Sequence, residues 1–243
     1  LWRREIAPAL MVHRNTLIAT ATNVYFADDQ SCKVFDAATG EPKGEIAPPA
    51  DVAGGTFWKW MALEGNVLYA MVGEQELRDP TIRARRESHG WPWAPLSPGF
   101  NFKEQPWGYG NTLLAIDVNS KRVLWRYTEK QPMDARALCM KNGRIYAFSF
   151  GNYLTCLNAS TGSPVYRLLP GDSPQLFEAL GEYQNRQDWR SNWRTTALLR
   201  CSDQALYFDR MERRLAIGLG RDGLPLYANL DFLEGTRGAH VNI

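Results

Sequence analysis

The stretch LTCLNASTGSPVYRL (154–168) has the pattern of a β-hairpin. An apolar run ends in the polar turn Asn-Ala-Ser-Thr-Gly, and a second run that carries a tyrosine follows. Glycine and asparagine tolerate the positive backbone angles that tight antiparallel turns require. The fold therefore depends on whether the chain uses this hairpin once or repeats it.

The hairpin recurs at three other places, as VFDAATGEPKGEI (34–46), AIDVNSKRVLWRY (115–127) and IGLGRDGLPLYAN (217–229). The turn residues Asp117 and Asn158 are 41 positions apart, which fits the roughly 40–50 residues of one propeller blade. A strand-like segment with a tyrosine precedes every copy. These tyrosines are Tyr25, Tyr69, Tyr146 and Tyr207.

Each copy predicts a four-stranded antiparallel sheet, because its runs are β-branched or aromatic and its connections are short. Such a sheet has two apolar faces, and radial stacking of neighbouring sheets buries them. We therefore predict an all-β fold, a β-propeller with about four blades in this chain. The predicted blades are 9–47, 56–128, 133–169 and 195–230, with 1–8 ending a preceding blade and 231–243 starting the next.

The unit resembles the pyrroloquinoline-quinone-like (PQQ-like) propeller repeat, and LLAIDVNSKRVLWRY (113–127) carries the closest match. The resemblance implies a bacterial, extracytoplasmic setting (periplasmic, cell-surface or secreted) and a closing Trp or Tyr packed between blades. LWRREI (1–6) resembles the closing strand of a preceding blade. We expect other blades or protein partners to complete a ring of seven or eight blades, since open sheet edges invite aggregation.

Composition argues against a nucleic-acid partner and against a transmembrane segment. The 243 residues include 28 Lys and Arg against 26 Asp and Glu, so no basic excess attracts nucleic acid. No apolar run approaches the roughly 20 residues that a transmembrane helix needs. The sequence therefore predicts neither a nucleic-acid partner nor a transmembrane segment.

Two long insertions interrupt the repeat, at 73–112 and 170–194. Because strands alternate in direction, we expect both to leave the same face of the propeller. Ser173 and Pro174 predict the start of a short helix in the second. The first is rich in aromatic residues, which suits either a structural flap or subunit contact, or a lid over a carbohydrate or flat aromatic ligand.

One basic residue per blade stands at the start of the predicted innermost strand. Four cations around a concave channel mouth could hold an anionic or sugar-like molecule, with tryptophans of the first insertion as walls. The competing interpretation is a solvated rim in which Asp134 pairs with Arg136. The candidate ligand-binding residues are Arg14, Lys59, Arg136, Arg194, Trp91, Trp93 and Trp107.

No catalytic motif is found: the sequence contains no HExxH, GxSxG or GxxxxGK[ST] pattern. PQQ-dependent dehydrogenases of the resembling family have an adjacent cysteine pair, a Trp floor and oxygen ligands around calcium, and no adjacent pair occurs here. The sequence therefore favours a scaffold or ligand-binding module without a cofactor. The alternative is part of a quinone-type dehydrogenase with PQQ and calcium, or of a carbohydrate-active enzyme, completed by sequence outside this chain.

The four cysteines are scattered, and their spacing argues against a zinc site. They fit small buried strand residues. In an oxidising compartment, Cys139 and Cys156 are the pair we expect to form a disulfide, because both lie in the predicted third blade.

Overall fold

The computed structural model of the chain describes residues 2–3, 16–28, 30–75, 108–149, 151–180, 198–210, 213–221 and 223–232. The chain divides into two compact units, Leu1–Ala135 and Arg136–Ile243. Across the described ranges, no helix is both long enough and apolar enough to cross a bilayer.

The first unit contains two four-stranded antiparallel sheets whose strands follow one another in chain order. Sheet 1 consists of β1 (Leu17–Ala19), β2 (Asn23–Ala27), β3 (Cys32–Asp36) and β4 (Pro42–Ile46). Sheet 2 consists of β5 (Phe57–Glu64), β6 (Val67–Gly73), β7 (Tyr109–Asp117) and β8 (Val123–Asp134).

The second unit repeats this plan after a 3-10 turn over Ala135–Ala137. Sheet 3 consists of β9 (Leu138–Lys141), β10 (Arg144–Ser149), β11 (Tyr153–Asn158) and β12 (Pro164–Leu168). A short helix α1 (Pro174–Leu180) follows, as the Ser-Pro pair predicts. Sheet 4 consists of β13 (Leu198–Cys201), β14 (Ala205–Arg210), β15 (Arg213–Leu219) and β16 (Pro225–Phe232).

These four sheets confirm the predicted fold class, an all-β propeller with about four blades in this chain. Each of the four repeated tyrosines lies on the second strand of its sheet, at an equivalent position. The structure extends β6 to Gly73 and brings β7 forward to Tyr109, so five residues of the predicted first insertion belong to strands.

Within each unit, the tyrosine-bearing face of one sheet packs on the opposite face of the next. In the first unit, Tyr25 and Ala27 share a core with Leu68 and Ala70 of sheet 2. Leu68 immediately precedes Tyr69, so the two residues point to opposite faces of β6. One sheet therefore contributes alternate residues of its second strand to two different contacts.

The second unit has the same arrangement. Tyr146 and Phe148 share a core with Leu206 and Phe208, and the two phenylalanine rings meet edge to face with centroids 5.2 Å apart. Tyr207 points to the other face of sheet 4 and is half-buried. Helix α1 adds Leu176 to the same core.

A side-chain oxygen at the end of the third strand organises the repeated turn. Oδ1 of Asp36 accepts hydrogen bonds from the backbone N–H groups of Ala38 and Thr39, both at 2.9 Å. Asp117 and Asn158 accept from the residues two and three positions onward in the same way. This local bond explains why Asp and Asn are interchangeable there and why the turn is polar.

Sheet 4 departs from this turn. Gly218 pairs with Ala205, the first residue of β14, just as Asp36 pairs with Asn23, the first residue of β2. Gly218 therefore occupies the position of Asp36 and has no side-chain oxygen to accept the turn hydrogen bonds. Its backbone bonds remain: the Gly220 N–H donates to Leu224 O at 2.9 Å, and the Leu219 N–H donates to Gln204 O at 2.6 Å. The other three turns have backbone bonds as well, so their side-chain acceptor is an addition to these bonds and not an alternative to them.

Trp2 packs on the first of these turns. Its indole Nε1–H donates to Ala37 O at 3.0 Å. A Cβ on Gly40, whose φ is +75°, would lie 2.5 Å from the Trp2 ring, so only glycine fits beneath the indole. Apart from Trp2 and Arg3, LWRREI lies outside the described residues.

The predicted pairing of Cys139 with Cys156 is wrong. Both residues are opposite Tyr146, one on β9 and the other on β11, so a whole strand separates them. Two strand spacings amount to about 9.5 Å, whereas disulfides need Cα atoms within about 7 Å. Membership of one blade is therefore not sufficient for a disulfide.

Truncating a buried repeat tyrosine will cost more stability than truncating the half-buried one. Tyr146 is 3% exposed, and we expect Tyr146→Ala to lower the free energy of unfolding by about 3–5 kcal/mol. Tyr207→Ala should cost about 1 kcal/mol, because less of its ring is buried. Urea unfolding followed by circular dichroism measures both, and equal losses would contradict the packing described above.

The turn oxygen can be tested at Asp117 with a substitution that the chain itself uses at Asn158. We expect Asp117→Ala to lower the thermal midpoint Tm, because the N–H groups of Asn119 and Ser120 lose their acceptor. Asp117→Asn keeps the acceptor and should remain close to the parent protein.

The negative charge of Asp117 makes its contribution to stability depend on pH. Hydrogen bonds from the Ser120 backbone and hydroxyl lower the pKa of the Asp117 carboxyl. A depressed folded-state pKa contributes stability above the unfolded pKa of about 4, and this contribution is lost as the pH falls through the folded value. The Tm difference between the parent and Asp117→Asn should therefore shrink on acidification, and a difference that grows would contradict this assignment.

Candidate functional site

The long connection of the first unit leaves one end of sheet 2. β6 ends at Gly73 and β7 begins at Tyr109, so the intervening residues depart where β5 begins at Phe57. In the second unit, the connection that follows β12 leaves the end of sheet 3 at which β9 begins. Within each unit, the insertion and the start of the first strand therefore share an end. That both insertions share one face of the propeller remains a prediction.

Lys59 occupies a β-bulge near the start of β5. Trp58 pairs with Val72 and Trp60 pairs with Met71, so Lys59 is the extra residue between them. A bulge redirects a side chain away from regular strand alternation. The sequence FWKW gives no sign of it, since the bulge appears only when β5 is registered against β6.

The Lys59 side chain is almost completely buried, with 1% exposure. Its Nζ lies 4.7 Å from the centroid of the Phe57 ring, a cation–π arrangement. A buried ammonium group is expensive unless it is compensated, and Lys59 has further interactions in the structure. The start of β5 thus holds a buried positive charge beside an aromatic ring.

Glycines allow the backbones to approach closely beside Lys59. A Cβ on Gly73 would lie 2.7 Å from Cα of Gly110 and 3.4 Å from Cε of Lys59. A Cβ on Gly55, at φ +94°, would lie 2.5 Å from Gly73 O. The loop before β5 and the ends of β6 and β7 therefore fit together only with glycine at these positions. We call Phe57, Lys59, Gly73 and Gly110 the Lys59 site.

Polar groups tie the neighbouring strand ends together. Thr112 Oγ1 lies 2.9 Å from Ala53 O, to which it donates, and 3.1 Å from Thr128 Oγ1. Asn111 Nδ2 donates to Glu129 O at 3.0 Å. Glu129 is buried, and its carboxylate accepts a hydrogen bond from the Tyr127 hydroxyl. This end of sheet 2 therefore carries a buried acid on β8 as well as a buried cation on β5.

The structure describes two of the seven predicted ligand-binding residues. Lys59 lies in the first unit, and Arg136 lies half-buried in the 3-10 turn at the start of the second. Asp134, which we placed beside Arg136 at a strand start, is instead the buried last residue of β8. The ring of four cations remains a prediction. Arg14, Arg194, Trp91, Trp93 and Trp107 lie outside the described residues.

Two tryptophans flank Lys59 in β5, where either could act as an aromatic floor for a ligand. Trp58 packs in the core between sheets 1 and 2, with 1% exposure. Its indole N–H has no acceptor among the residues that the structure describes. Trp60 is also buried. Trp58 is therefore primarily a core residue, as is usual for a single tryptophan in a propeller.

The side chains can be compared with what PQQ and calcium would need. PQQ is a flat polycarboxylate, so a fixed cation and aromatic surroundings suit it, and the Lys59 site provides both. Calcium needs six to eight oxygen ligands. No group of three His, Cys, Asp or Glu side chains suited to a metal occurs in the described ranges. Among the described residues, Lys59 and Phe57 are a buried cation and a ring that an anionic aromatic molecule would need, and these residues include no calcium site.

No family model matches the chain. A quinoprotein ethanol dehydrogenase of Pseudomonas putida is 26% identical over 154 residues, which is 59% of this chain and 24% of that protein. The quinoprotein alcohol dehydrogenase PedE, also from Pseudomonas putida, is 26% identical over 154 residues. This alignment covers 59% of this chain and 23% of PedE. The chain thus spans about a quarter of the length of these curated relatives.

Solved structures give the same fold. BamB from Moraxella catarrhalis superimposes with a TM-score of 0.52 at 12% identity, covering 96% of this chain and 55% of that one. The Pan2 WD40 domain of Neurospora crassa gives 0.50 at 11% identity, covering 89% and 51%. At these identities the likeness concerns the fold alone. Together with the four sheets, their equivalent tyrosines and their repeated turns, these likenesses identify the fold of the chain as a β-propeller, and its sequence is distantly similar to quinoproteins.

Proposed function

We propose that the chain is a non-catalytic, ligand-binding module of the PQQ-like propeller type. Its ligand is an anionic or sugar-like molecule that binds at the end of sheet 2 around Lys59. One observation carries the proposal: a buried lysine held over an aromatic ring lies at the sheet end from which the long connection leaves.

The electrostatic argument rests on burial. A charge in surroundings of low polarity acts more strongly on a neighbouring anion than a solvated charge does, because water screens it less. The bulge, the Phe57 ring and Gly73 hold the Lys59 ammonium in place, so a ligand does not have to order a flexible side chain. A carboxylate would gain most from such a site.

The connection between β6 and β7 supplies the sequence features of a sugar-binding wall. It contains Trp91, Trp93 and Trp107, whose flat apolar rings suit sugar faces and planar aromatics. Both of its ends are anchored at the Lys59 site, at Gly73 and Tyr109. A molecule with a sugar face and a carboxylate, such as a uronic acid, combines the two kinds of recognition.

A scaffold role and an extracytoplasmic setting belong to the same proposal. Each sheet presents a first and a last strand whose outer edges could pair with another chain, as open antiparallel edges do. Protein partners that supply further blades would instead pack on sheet faces, as successive sheets do within each unit. The fold likeness to BamB and the relatedness to quinoproteins support this setting for the module.

The alternative function is part of a quinone-type dehydrogenase. The 26% identity to a quinoprotein ethanol dehydrogenase favours it. In that case Lys59 would pair with a carboxylate of PQQ, and the quinone would accept the electrons of an alcohol substrate when bound. Any calcium ligands would have to lie outside the described residues.

Ligand titrations test the main proposal. We expect oligogalacturonates to change the tryptophan fluorescence saturably, and neutral oligosaccharides to bind more weakly. Lys59→Met should weaken oligogalacturonate binding by roughly 10–100-fold, the loss of one charge-assisted hydrogen bond. Lys130 is an exposed residue of β8 in the same sheet. Lys130→Met is therefore the matched control and should leave binding unchanged.

Salt provides an independent reading if Lys59→Met folds poorly. Binding of the anionic ligand to the parent protein should weaken as sodium chloride rises, while binding of a neutral sugar should not. Unchanged affinity in a folded Lys59→Met protein, or the absence of a saturable response to uronates, neutral sugars and PQQ, would leave only the scaffold role.

A PQQ titration with and without EDTA separates the alternative. A fluorescence response to PQQ that EDTA does not change would support binding of an anion without calcium. An EDTA-sensitive response, accompanied by alcohol-dependent reduction of an artificial dye, would favour the dehydrogenase.

A further inference from the structure

The first strands of sheets 3 and 4 lie next to each other in the second unit. Lys141, at the end of β9, forms an ion pair of 3.4 Å with Asp203, which follows β13. Asn142 Nδ2 also donates to Asp203 Oδ1 at 3.1 Å. These bonds fix the register of the two strands at one end.

The same register brings two cysteines together. Cys139 precedes Lys141 by two positions, and Cys201 precedes Asp203 by two positions. The thiols of Cys139 and Cys201 lie close enough to interact with each other. Two contacts with the same offset along both strands, Lys141 with Asp203 and Cys139 with Cys201, indicate that β9 and β13 run in the same direction here. Both are half-buried and pack on the core between sheets 3 and 4.

We propose that Cys139 and Cys201 form a disulfide that joins the first strands of sheets 3 and 4. The strand register places these two cysteines side by side, whereas Cys156 is one strand further away on β11. The bond would lock two blades together at their first strands. It replaces the pairing within a single blade that the sequence suggested.

The electrostatics favour Cys201 as the attacking sulfur. The hydrogen bond from Cys139 and the charge of Lys141 lower the pKa of Cys201, while burial raises the pKa of Cys139 well above its usual value. Thiolates rather than thiols attack disulfides. Burial raises the pKa of Cys156 to about 11 and that of Cys32 to about 12, so these two cysteines should be slow to react.

The step balances with a small disulfide, such as oxidised glutathione, as the oxidant. The Cys201 thiolate attacks one glutathione sulfur, forms a mixed disulfide and releases one glutathione thiolate. Cys139 then loses its proton to water, attacks the Cys201 sulfur and releases the second glutathione. The protein loses two thiols and two electrons, and one oxidised glutathione becomes two reduced molecules.

Peptide mapping tests the bond in the full chain. We expect the reduced protein, treated with oxidised glutathione and then alkylated, to yield one cross-linked peptide pair containing Cys139 and Cys201. Cys139→Ser and Cys201→Ser should each abolish it. Cys156→Ser, which removes a thiol of the same core, should leave it intact.

Thermal unfolding provides a second reading. Oxidation of the parent and of Cys156→Ser should raise Tm by roughly 5–10 °C, reversibly with dithiothreitol, because the bond closes a long loop in the unfolded chain. Neither Cys139→Ser nor Cys201→Ser should show this rise. Four alkylated thiols after oxidation, or a link through Cys32 or Cys156, would overturn the proposal.

Discussion

Each sheet of this chain is apolar on both faces, and that constraint governs its construction. Successive residues of one strand, such as Leu68 and Tyr69, point to opposite faces of the sheet, so a sheet on its own would leave one of the two side chains exposed. Packing the tyrosine face of one sheet on the leucine face of the next resolves this within each unit. Each sheet is therefore a unit that is buried on two sides, and every copy keeps the tyrosine and an aliphatic residue before it, which is Val24, Leu68, Ile145 or Leu206.

The repeated turn sets the geometry that this packing needs. Asp36, Asp117 and Asn158 hold the end of the third strand by the same side-chain hydrogen bonds, so the closing strand returns at the same place in three sheets. Sheet 4 shows that the fold accommodates a turn in which Gly218 takes the place of this oxygen. The turn side chain adds stability locally, whereas burial of the two sheet faces is the larger source of stability for the fold.

The first strands of sheets 2, 3 and 4 carry side chains that the packing of the sheets does not require. In sheet 2 a bulge buries the charge of Lys59 against Phe57, and in the second unit the parallel first strands bring two thiols together. Neither arrangement is needed to bury the sheet faces. Both place reactive or charged groups at fixed positions on rigid strands, which is what recognition and cross-linking require.

The sequence by itself determined the repeat, the strands, the short helix at Ser173 and the equivalence of the four tyrosines, because these depend on local turn chemistry and two-residue periodicity. It missed the bulge at Lys59, the extension of β8 to Asp134 and the proximity of Cys139 to Cys201. Those depend on how one strand is registered against another, and nothing in a strand's own residues records its register with a partner far along the chain. Only the tertiary structure could decide them.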